Sequence, residues 1–389
     1  MTEWHYRAFT KAEHEERLIR ARHALTEAGL AGVVCTAPEL LYYFTGYDAH
    51  THLAIGAQAL VLTADGREPI LFLRDGDVAQ SNETVSIGEV RPFRFGAARL
   101  SDLVADAARD TGMAGARIGI DLSGPTTNGA LTLALMEALD GTQVSDCTHM
   151  LGMLRTVLSD AEIAYVREAS GYANIGIDTF YNTARIGMSE IELAAEIEYA
   201  MRSAGSDYFT IPTWTGSGPR SLCQHGMASP RKLDAGDLAH CEFTGAARRY
   251  QCVTMGSLVM GAPSEIMTRL AEGGRDGLYA GLDEIKPGAR IGDSEIAYFE
   301  ALEAHGLRDA CLMRFGVGTS AAYPPVWENQ ISVQCETDEV WQPGMVFYIH
   351  SSLQSFEHGE GLLFGASFLI TETGVERLDK AKIELVVVE

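Results

Sequence analysis

Residues 231–260, RKLDAGDLAHCEFTGAARRYQCVTMGSLVM, decide the fold of the second half of the chain. Two apolar runs extend over 236–245 and 250–260, and their length and composition predict buried strands. A third strand is predicted at 208–215, ahead of this stretch. The centre of this half is therefore predicted to be a sheet whose strands are joined by turns.

Helices are predicted on both sides of these strands. The sequence Ser159-Asp160-Ala161-Glu162 resembles a capping box, and a long amphipathic helix is predicted from there to about residue 185. A second helix is predicted to begin at 189–192 and to end near 204. Further helices are predicted at 263–283 and 293–305, and strands return from 313 onward.

The first part of the chain has a different pattern. A helix is predicted at 11–29, and short apolar strands at 31–35, 59–62, 70–73 and 118–120 alternate with helical stretches near 99–112 and 127–139. Strands that alternate with helices indicate an α/β domain with a mixed or parallel sheet. A boundary is predicted within 145–158, which gives domains 1–157 and 158–389. A length of 389 residues suits two domains.

Charge and cysteine content narrow the classes of function. The formal net charge is −23, which disfavours nucleic acid and anionic membranes as partners because like charges repel. No apolar run approaches the roughly 18 residues needed to span a bilayer, and the sequence after Met1 does not resemble a signal peptide. The seven cysteines are scattered and lack CxxC spacing. A cytoplasmic protein with reduced thiols is predicted.

Three motifs resemble one known family. They are Arg231–Asp237 (RKLDAGD), Trp341–Phe347 (WQPGMVF) and Phe368–Glu376 (FLITETGVE). In this order they resemble the family of methionine aminopeptidase, prolidase, Xaa-Pro aminopeptidase, creatinase and ectoine hydrolase. The resemblance implies a creatinase-type α/β N-terminal domain followed by an α+β "pita-bread" catalytic domain. It also implies a homodimer in which a loop of one subunit, here 45–52, often reaches the neighbouring pocket.

The resemblance also locates the positions that bind metal in metal-dependent members, which hold two divalent ions with two Asp, one His and two Glu. The matching positions here are Glu242, Val253, Phe315, His350 and Gly365. Three of the five carry no donor atom, so two divalent ions are not expected and no cofactor is predicted. One alternative is a single metal held by His240, Glu242 and His350. The other is that His240 is a hydrogen-bonded strand histidine.

Two residues are candidates for chemistry without a metal. His225 matches the proton-shuttling histidine of creatinase, and its ordinary pKa near 6.5 suits that role. Glu242 matches a glutamate that is thought to attack the substrate in ectoine hydrolase. A carboxylate can act in this way when the electrophile is cationic and the site is dry. The alternatives are a turn histidine that faces solvent and a buried glutamate paired with Arg248 or Arg249.

The segments Arg249–Cys252 and Tyr323–Trp327 also resemble ectoine hydrolase. Tyr323 and Trp327 could stack on a delocalised cation, or pack within their loop. His350 is a second candidate acid or base. Further candidates for substrate binding are Arg249, His240 and His52. The chain departs from ectoine hydrolase at 253–257, where an arginine is absent, and in the loop at 45–52, which lacks its aromatic residues.

The sequence therefore predicts a metal-independent hydrolase that cleaves a C–N bond in a small zwitterion or cation, which is its expected partner. One alternative is a metal-dependent Xaa-Pro dipeptidase or aminopeptidase. Another is a non-catalytic binder of small molecules that uses a degenerate peptidase site. A lyase that shares the scaffold uses a metal, which the donor set disfavours.

Overall fold

The computed structural model describes residues 6–54, 57–94 and 96–389. The chain divides into two compact units, Met1–Arg155 with Tyr323–Pro325, and Thr156–Ala322 with Val326–Glu389. The division after Arg155 lies beside the boundary predicted after residue 157. The short segment Tyr323–Pro325 belongs to the first unit although its neighbours in sequence belong to the second.

The first unit contains a six-stranded mixed sheet with strand order β4-β3-β2-β1-β5-β6. The pairs β1–β5, β5–β6 and β3–β4 are parallel, whereas β1–β2 and β2–β3 are antiparallel. Val33 and Val34 of β1 face two separate apolar clusters, so the sheet is covered on both faces as an α/β domain requires. The elements are α1 (Lys11–Glu27), β1 (Gly32–Cys35), α2 (Pro38–Thr45), α3 (Thr51–Ala54), β2 (Ala59–Thr63), β3 (Ile70–Arg74), α4 (Val78–Thr84), β4 (Glu89–Phe93), α5 (Leu100–Asp110), β5 (Arg117–Ile120), α6 (Gly129–Ala138), β6 (Gln143–Asp146) and α7 (Thr148–Met153).

The second unit begins with two long helices, each opened by a capping box. The Ser159 hydroxyl accepts from the Glu162 backbone N–H, and the Glu162 carboxylate accepts from the Ser159 N–H. Ser189 and Glu192 repeat the arrangement at the next helix. Such caps satisfy backbone donors that the first turn of a helix leaves free. The elements are α8 (Asp160–Thr183), α9 (Glu190–Ala204), β7 (Trp214–Ser217), β8 (Leu238–Ala247), β9 (Tyr250–Met260), α10 (Glu265–Asp283), α11 (Ile291–Ala304), β10 (Gly316–Thr319), β11 (Glu328–Val333), β12 (Val346–Ser355), β13 (Glu360–Thr371), β14 (Gly374–Arg377) and β15 (Val386–Val388).

One large sheet joins the strands of this unit in the order β11-β10-β12-β13-β9-β8-β7, with β14 paired to β13 and β15 to β9. Its helix-facing side packs against α8 and α9 through Cys241, Phe243 and Leu258. Gly176 of α8 allows a close approach, since a Cβ there would lie 2.5 Å from the Phe243 ring. Side chains alternate along a strand, so the neighbours of these residues face the opposite side of the sheet.

Candidate active site

The candidate active site lies on the side of the large sheet opposite α8 and α9. Strand register places Trp214 opposite Glu242, Glu242 opposite Met255, Met255 opposite Gly365, and Gly365 opposite His350. Paired residues of antiparallel strands project to the same face. The two candidate groups Glu242 and His350, which are far apart in sequence, therefore share one row across the sheet.

Glu242 is buried, with 5% of its surface exposed. Its Oε1 accepts a hydrogen bond from the Tyr348 hydroxyl over 3.1 Å. Burial disfavours the charged carboxylate and raises the pKa of Glu242 to about 8, while the Tyr348 bond opposes this and the charge of Glu328 adds to it. No ion pair joins Glu242 to a basic side chain among the described residues, so the pairing with Arg248 or Arg249 is not formed.

Tyr348 occupies the space above Gly365. A Cβ added at Gly365 would lie 2.5 Å from the Tyr348 hydroxyl oxygen. Gly365 is the position at which metal-dependent members are expected to carry their last glutamate. The phenol therefore lies where that side chain would project, and its hydroxyl contacts the one remaining carboxylate of the set.

Two further metal positions, Phe315 and Val253, are filled by side chains that cannot bind an ion. The Phe315 ring stacks on Tyr298 of α11 with ring centroids 4.6 Å apart, and it lies against Gly281 of α10. Val253 belongs to the apolar cluster on the site side of the sheet. Within the described ranges, no group of three or more His, Cys, Asp or Glu side chains is placed to hold a metal ion. The residues present do not fit a pair of divalent cations.

His350 is buried with 6% of its surface exposed, and its Nδ1 has no hydrogen-bond partner among the described residues. Burial lowers the pKa of His350 to about 3, and the charges of Arg314 and His225 contribute. The imidazole is therefore neutral at physiological pH, with one N–H to donate and one nitrogen to accept. The neutral imidazole shares the row of Glu242 and packs against Tyr348, with ring centroids 5.5 Å apart, so it is available to bind a ligand at this face of the sheet.

Aromatic and apolar side chains surround this pair. The rings of Trp214 and Trp327 lie 5.4 Å apart. Both belong to one cluster with Met255 and Tyr348. Trp327 therefore packs in the same cluster as Tyr348, and Trp214 is an additional aromatic residue there. Indole rings attract delocalised cations through their electron-rich faces.

His225 lies in a turn and is exposed to solvent. Its ring nevertheless packs against Trp214, with centroids 4.7 Å apart, and its charge reaches His350. His225 is therefore a solvent-facing turn histidine whose ring contacts a residue of the row. The position suits a group that exchanges protons between the site and water.

His240 is a hydrogen-bonded strand histidine. It projects on the same face as Glu242, its Nε2 lies 3.0 Å from the Ser221 carbonyl oxygen, and burial lowers its pKa to about 4. The absence of a three-ligand group among the described residues leaves the single-metal alternative without support.

Arg249, which the sequence predicts to bind substrate, lies in the turn that follows β8. Arg248 and Arg249 form the turn between β8 and β9 with positive φ angles of 47° and 72°. Glu242 lies in the middle of β8, and the end of the strand at which this turn begins is roughly 17 Å away at 3.4 Å per residue. The motif did not reveal the distance between Glu242 and this turn, because that distance depends on the extended conformation of β8.

Tyr323 and His52 lie together in the first unit. The Tyr323 hydroxyl donates to Asp48 Oδ1 over 2.8 Å, and its ring meets the His52 ring edge to face at 5.0 Å. Tyr42 completes the aromatic group. The loop at 45–52 thus contacts Tyr323, and the first unit contains its own cluster of predicted binding residues.

Four contributors to the site were not among the candidates from sequence. They are Tyr348, Trp214, Arg314 and Glu328. Arg314 forms an ion pair with Glu328 over 2.5 Å and donates to the Ser332 hydroxyl. The available signal was the strand periodicity, since Tyr348 is two residues from His350 and projects to the same face.

Comparison with known proteins identifies the family. The chain belongs to metallopeptidase family M24, which matches residues 164–372, and residues 17–157 match the creatinase/prolidase N-terminal domain. The predicted family and fold are confirmed, and the chain is that of a two-domain hydrolase of this family.

The relatives differ in activity. The chain is 25% identical over 396 residues to y4tM of Sinorhizobium fredii, described as an uncharacterized hydrolase/peptidase, with 97% of this chain and 98% of the relative covered. It is 23% identical to the ectoine hydrolase of Halomonas elongata, with 95% and 96% covered. A crystal structure of dipeptidase PepE from Mycobacterium ulcerans superposes with a TM-score of 0.85 at 25% identity, covering 98% of this chain and 99% of that one.

No helix within the described residues has the length and apolarity needed to cross a bilayer.

Proposed function

We propose that this protein is a metal-independent hydrolase that cleaves a C–N bond in a small cationic or zwitterionic molecule. The supporting observation is Glu242, a buried carboxyl group bonded to Tyr348 at a site where three of the five expected metal-binding side chains lack donor atoms. The similarity to an ectoine hydrolase over nearly the full chain agrees with this proposal.

A cationic substrate explains how Glu242 becomes reactive. In the free protein its pKa of about 8 keeps most of the carboxyl group protonated at neutral pH. A cation placed against it favours the ionised form, so binding drives a proton off Glu242. The aromatic rings of Trp214 and Trp327 would contact the face of a planar cation and exclude water.

The chemistry then proceeds in two stages for an amidinium. A carboxylate oxygen of Glu242 adds to the amidinium carbon as the C=N electron pair moves to nitrogen. A C–N bond breaks when the leaving nitrogen takes the proton that Glu242 released on binding the cation. Water attacks the resulting acyl-type carbon and releases the Glu242 carboxylate. The proton of that water passes to a base, for which His225 and His350 are the candidates, and the sum is addition of one water.

The test measures turnover with and without a chelator. Cyclic amidines, guanidino acids and Xaa-Pro dipeptides are supplied to the purified protein, and products are detected by mass spectrometry. We expect turnover of an amidine or guanidino compound that survives the chelator and falls by about a thousand-fold in Glu242→Gln, because the nucleophile is lost. Glu357→Gln, at an exposed hairpin position, is the matched control.

Two outcomes contradict the proposal. Cleavage of an Xaa-Pro dipeptide that requires added metal would establish the dipeptidase alternative. Ligand binding in a thermal-shift assay with no product from any compound would establish a binding protein instead.

A further inference from the structure

An arginine at the edge of the site has unused donors and faces the row that contains His350. Arg314 lies two residues before β10, and its Nη1 donates to the Ser332 hydroxyl over 3.2 Å. Ser332 pairs with Val317, and Val317 pairs with Tyr348, so all three project to the site side of the sheet. The guanidinium therefore extends over the same face as Glu242 and His350.

The ion pair with Glu328 uses only part of the hydrogen-bonding capacity of the Arg314 guanidinium. Arg314 Nη2 lies 2.5 Å from Glu328 Oε1, and about one-third of each side chain is exposed, 33% and 37%. Arginine carries five N–H donors, so the contacts to Ser332 and Glu328 leave three without a partner among the described residues. Planar guanidinium groups bind carboxylates with two parallel hydrogen bonds, for which these donors are suited.

His350 supplies an independent indication of an acceptor at this place. Its buried Nδ1 lacks a partner among the described residues, and buried polar atoms are normally hydrogen-bonded. Ser352, two residues further along β12 and on the same face, has a buried hydroxyl that also lacks a partner among those residues. An imidazole N–H, a hydroxyl and a guanidinium together favour a ligand group with several acceptor oxygens.

We infer that the substrate carries a carboxylate as well as its cationic centre, and that Arg314 and His350 bind that carboxylate while Glu242 faces the cation. Arg314 is then a residue that determines specificity. The inference rests on the proposed function for the location of the cation, but it concerns binding and not cleavage. It narrows the proposed substrate class from cations or zwitterions to zwitterions.

The experiment uses two matched pairs of probes. A cyclic amidinium with a ring carboxylate is compared with the same ring lacking it, and glycine betaine is compared with choline. Dissociation constants are measured by calorimetry for the wild-type protein, Arg314→Gln and Arg314→Lys. Arg275→Gln is the matched control, because Arg275 pairs with Asp276 on the exposed surface of α10.

We expect the wild-type protein to bind the carboxylated member of at least one pair about ten-fold more tightly, as a charge-assisted bidentate contact allows. Arg314→Gln should reduce that preference to about two-fold or less and leave affinity for the other member nearly unchanged. Arg314→Lys should retain part of the preference because it keeps the charge, and Arg275→Gln should retain all of it. Melting curves confirm that each variant is folded.

The inference is overturned if the wild-type protein shows no preference in either pair or binds none of the four probes. It is also overturned if Arg314→Gln reduces the affinity for both members of a pair equally. Failure of the proposed function would look different. The carboxylate preference would then be measured as expected, but no product would form or turnover would require metal.

Discussion

The central feature at the scale of single residues is the contact between Glu242 and Tyr348. Burial raises the pKa of the carboxyl group to about 8, and the phenol hydroxyl opposes this by donating to the charged form. The free protein therefore holds Glu242 largely as a neutral acid at pH 7. The carboxylate form becomes dominant only above a pH of about 8 or when a cation binds.

Tyr348→Phe tests this balance. The affinity for a cyclic amidinium should rise with pH in the wild-type protein and level off above about 8, where Glu242 is ionised. Loss of the hydrogen bond from Tyr348 should move the midpoint of this affinity-versus-pH curve upward by about 0.5 to 1 pH unit, since a hydrogen bond contributes about 1 kcal/mol. Calorimetric titrations from pH 6 to 9.5 measure it.

The control for this experiment is Tyr199→Phe, at a tyrosine that is 72% exposed on α9. Its midpoint should match that of the wild-type protein. An unchanged midpoint in Tyr348→Phe, or an affinity that falls as the pH rises, would show that Glu242 is not the group that meets the cation.

Strand register is what assembles the site at the scale of elements. Five strands contribute one residue each to the row from Trp214 to His350, and a shift by one residue in any strand would turn its member to the helices. Gly365 has a particular place in β13, because its missing side chain leaves room for Tyr348. Strand register thus places Glu242 in the row, and the glycine at position 365 allows Tyr348 to contact it.

Gly365→Ala should disturb this arrangement. The new methyl group would overlap the Tyr348 hydroxyl and ring, so the phenol must move away from Glu242. We expect a loss of about 1–3 kcal/mol in the free energy of unfolding, typical of overpacking in a buried site, together with weaker binding of the amidinium probe. Denaturant unfolding measures the first quantity and calorimetry the second.

Gly171→Ala is the matched control. Gly171 lies exposed within α8, and a Cβ there meets no atom within 4 Å. Alanine favours the helix over glycine by about 0.5–1 kcal/mol, so this variant should be more stable than the wild-type protein and bind the probe normally. Equal stability changes in the two variants would contradict the close contact at Gly365.

The long elements were predictable because they are periodic in apolar residues, whereas short elements such as α2, β4 and β6 were not predicted, and one predicted strand is displaced. The strand predicted at 208–215 is observed only as Trp214–Ser217. Pro212 has no N–H to donate to a sheet, and the Thr213 N–H donates to Glu198 of α9 instead. The shorter strand still brings Trp214 opposite Glu242.

Buried ionisable groups in both units govern the whole molecule's response to pH. Burial raises the pKa of four carboxyl groups, which lie in both halves of the chain: Asp121 to about 7, Glu242 to about 8, Glu360 to about 7 and Asp379 to about 6. It lowers the pKa of three histidines: His14 to about 4, His240 to about 4 and His350 to about 3.

The carboxyl groups and the histidines predict losses of stability in opposite directions of pH. A carboxyl group with a raised pKa holds a proton in the folded state that the unfolded chain releases, so stability falls as the pH rises from about 4 through 8. A histidine with a lowered pKa stays neutral when the unfolded chain takes up a proton, so stability falls as the pH drops below about 6.5. The melting temperature should therefore be highest near pH 4.5–6.5 and decline steadily from 6.5 to 8.

Differential scanning calorimetry at fixed ionic strength measures this profile. Glu242→Gln replaces one titrating group with a neutral side chain of the same shape. The melting temperature of this variant should therefore decline less steeply above pH 6.5 than that of the wild-type protein or of Glu357→Gln. A melting temperature that rises from pH 6.5 to 8 would contradict the burial of these carboxyl groups.

The sequence by itself determined the two-domain organisation, the family and the loss of metal-binding side chains, because residue type alone decides whether Val253, Phe315 and Gly365 carry a donor atom. It also placed Glu242, His225 and His350 by their positions in motifs. Only the tertiary structure decided that Tyr348 lies over Gly365, that Arg314 contacts Ser332 and that Arg249 lies in the turn after β8. Those facts depend on strand register and burial, which join residues more than a hundred positions apart, and burial is also what sets the pKa of Glu242.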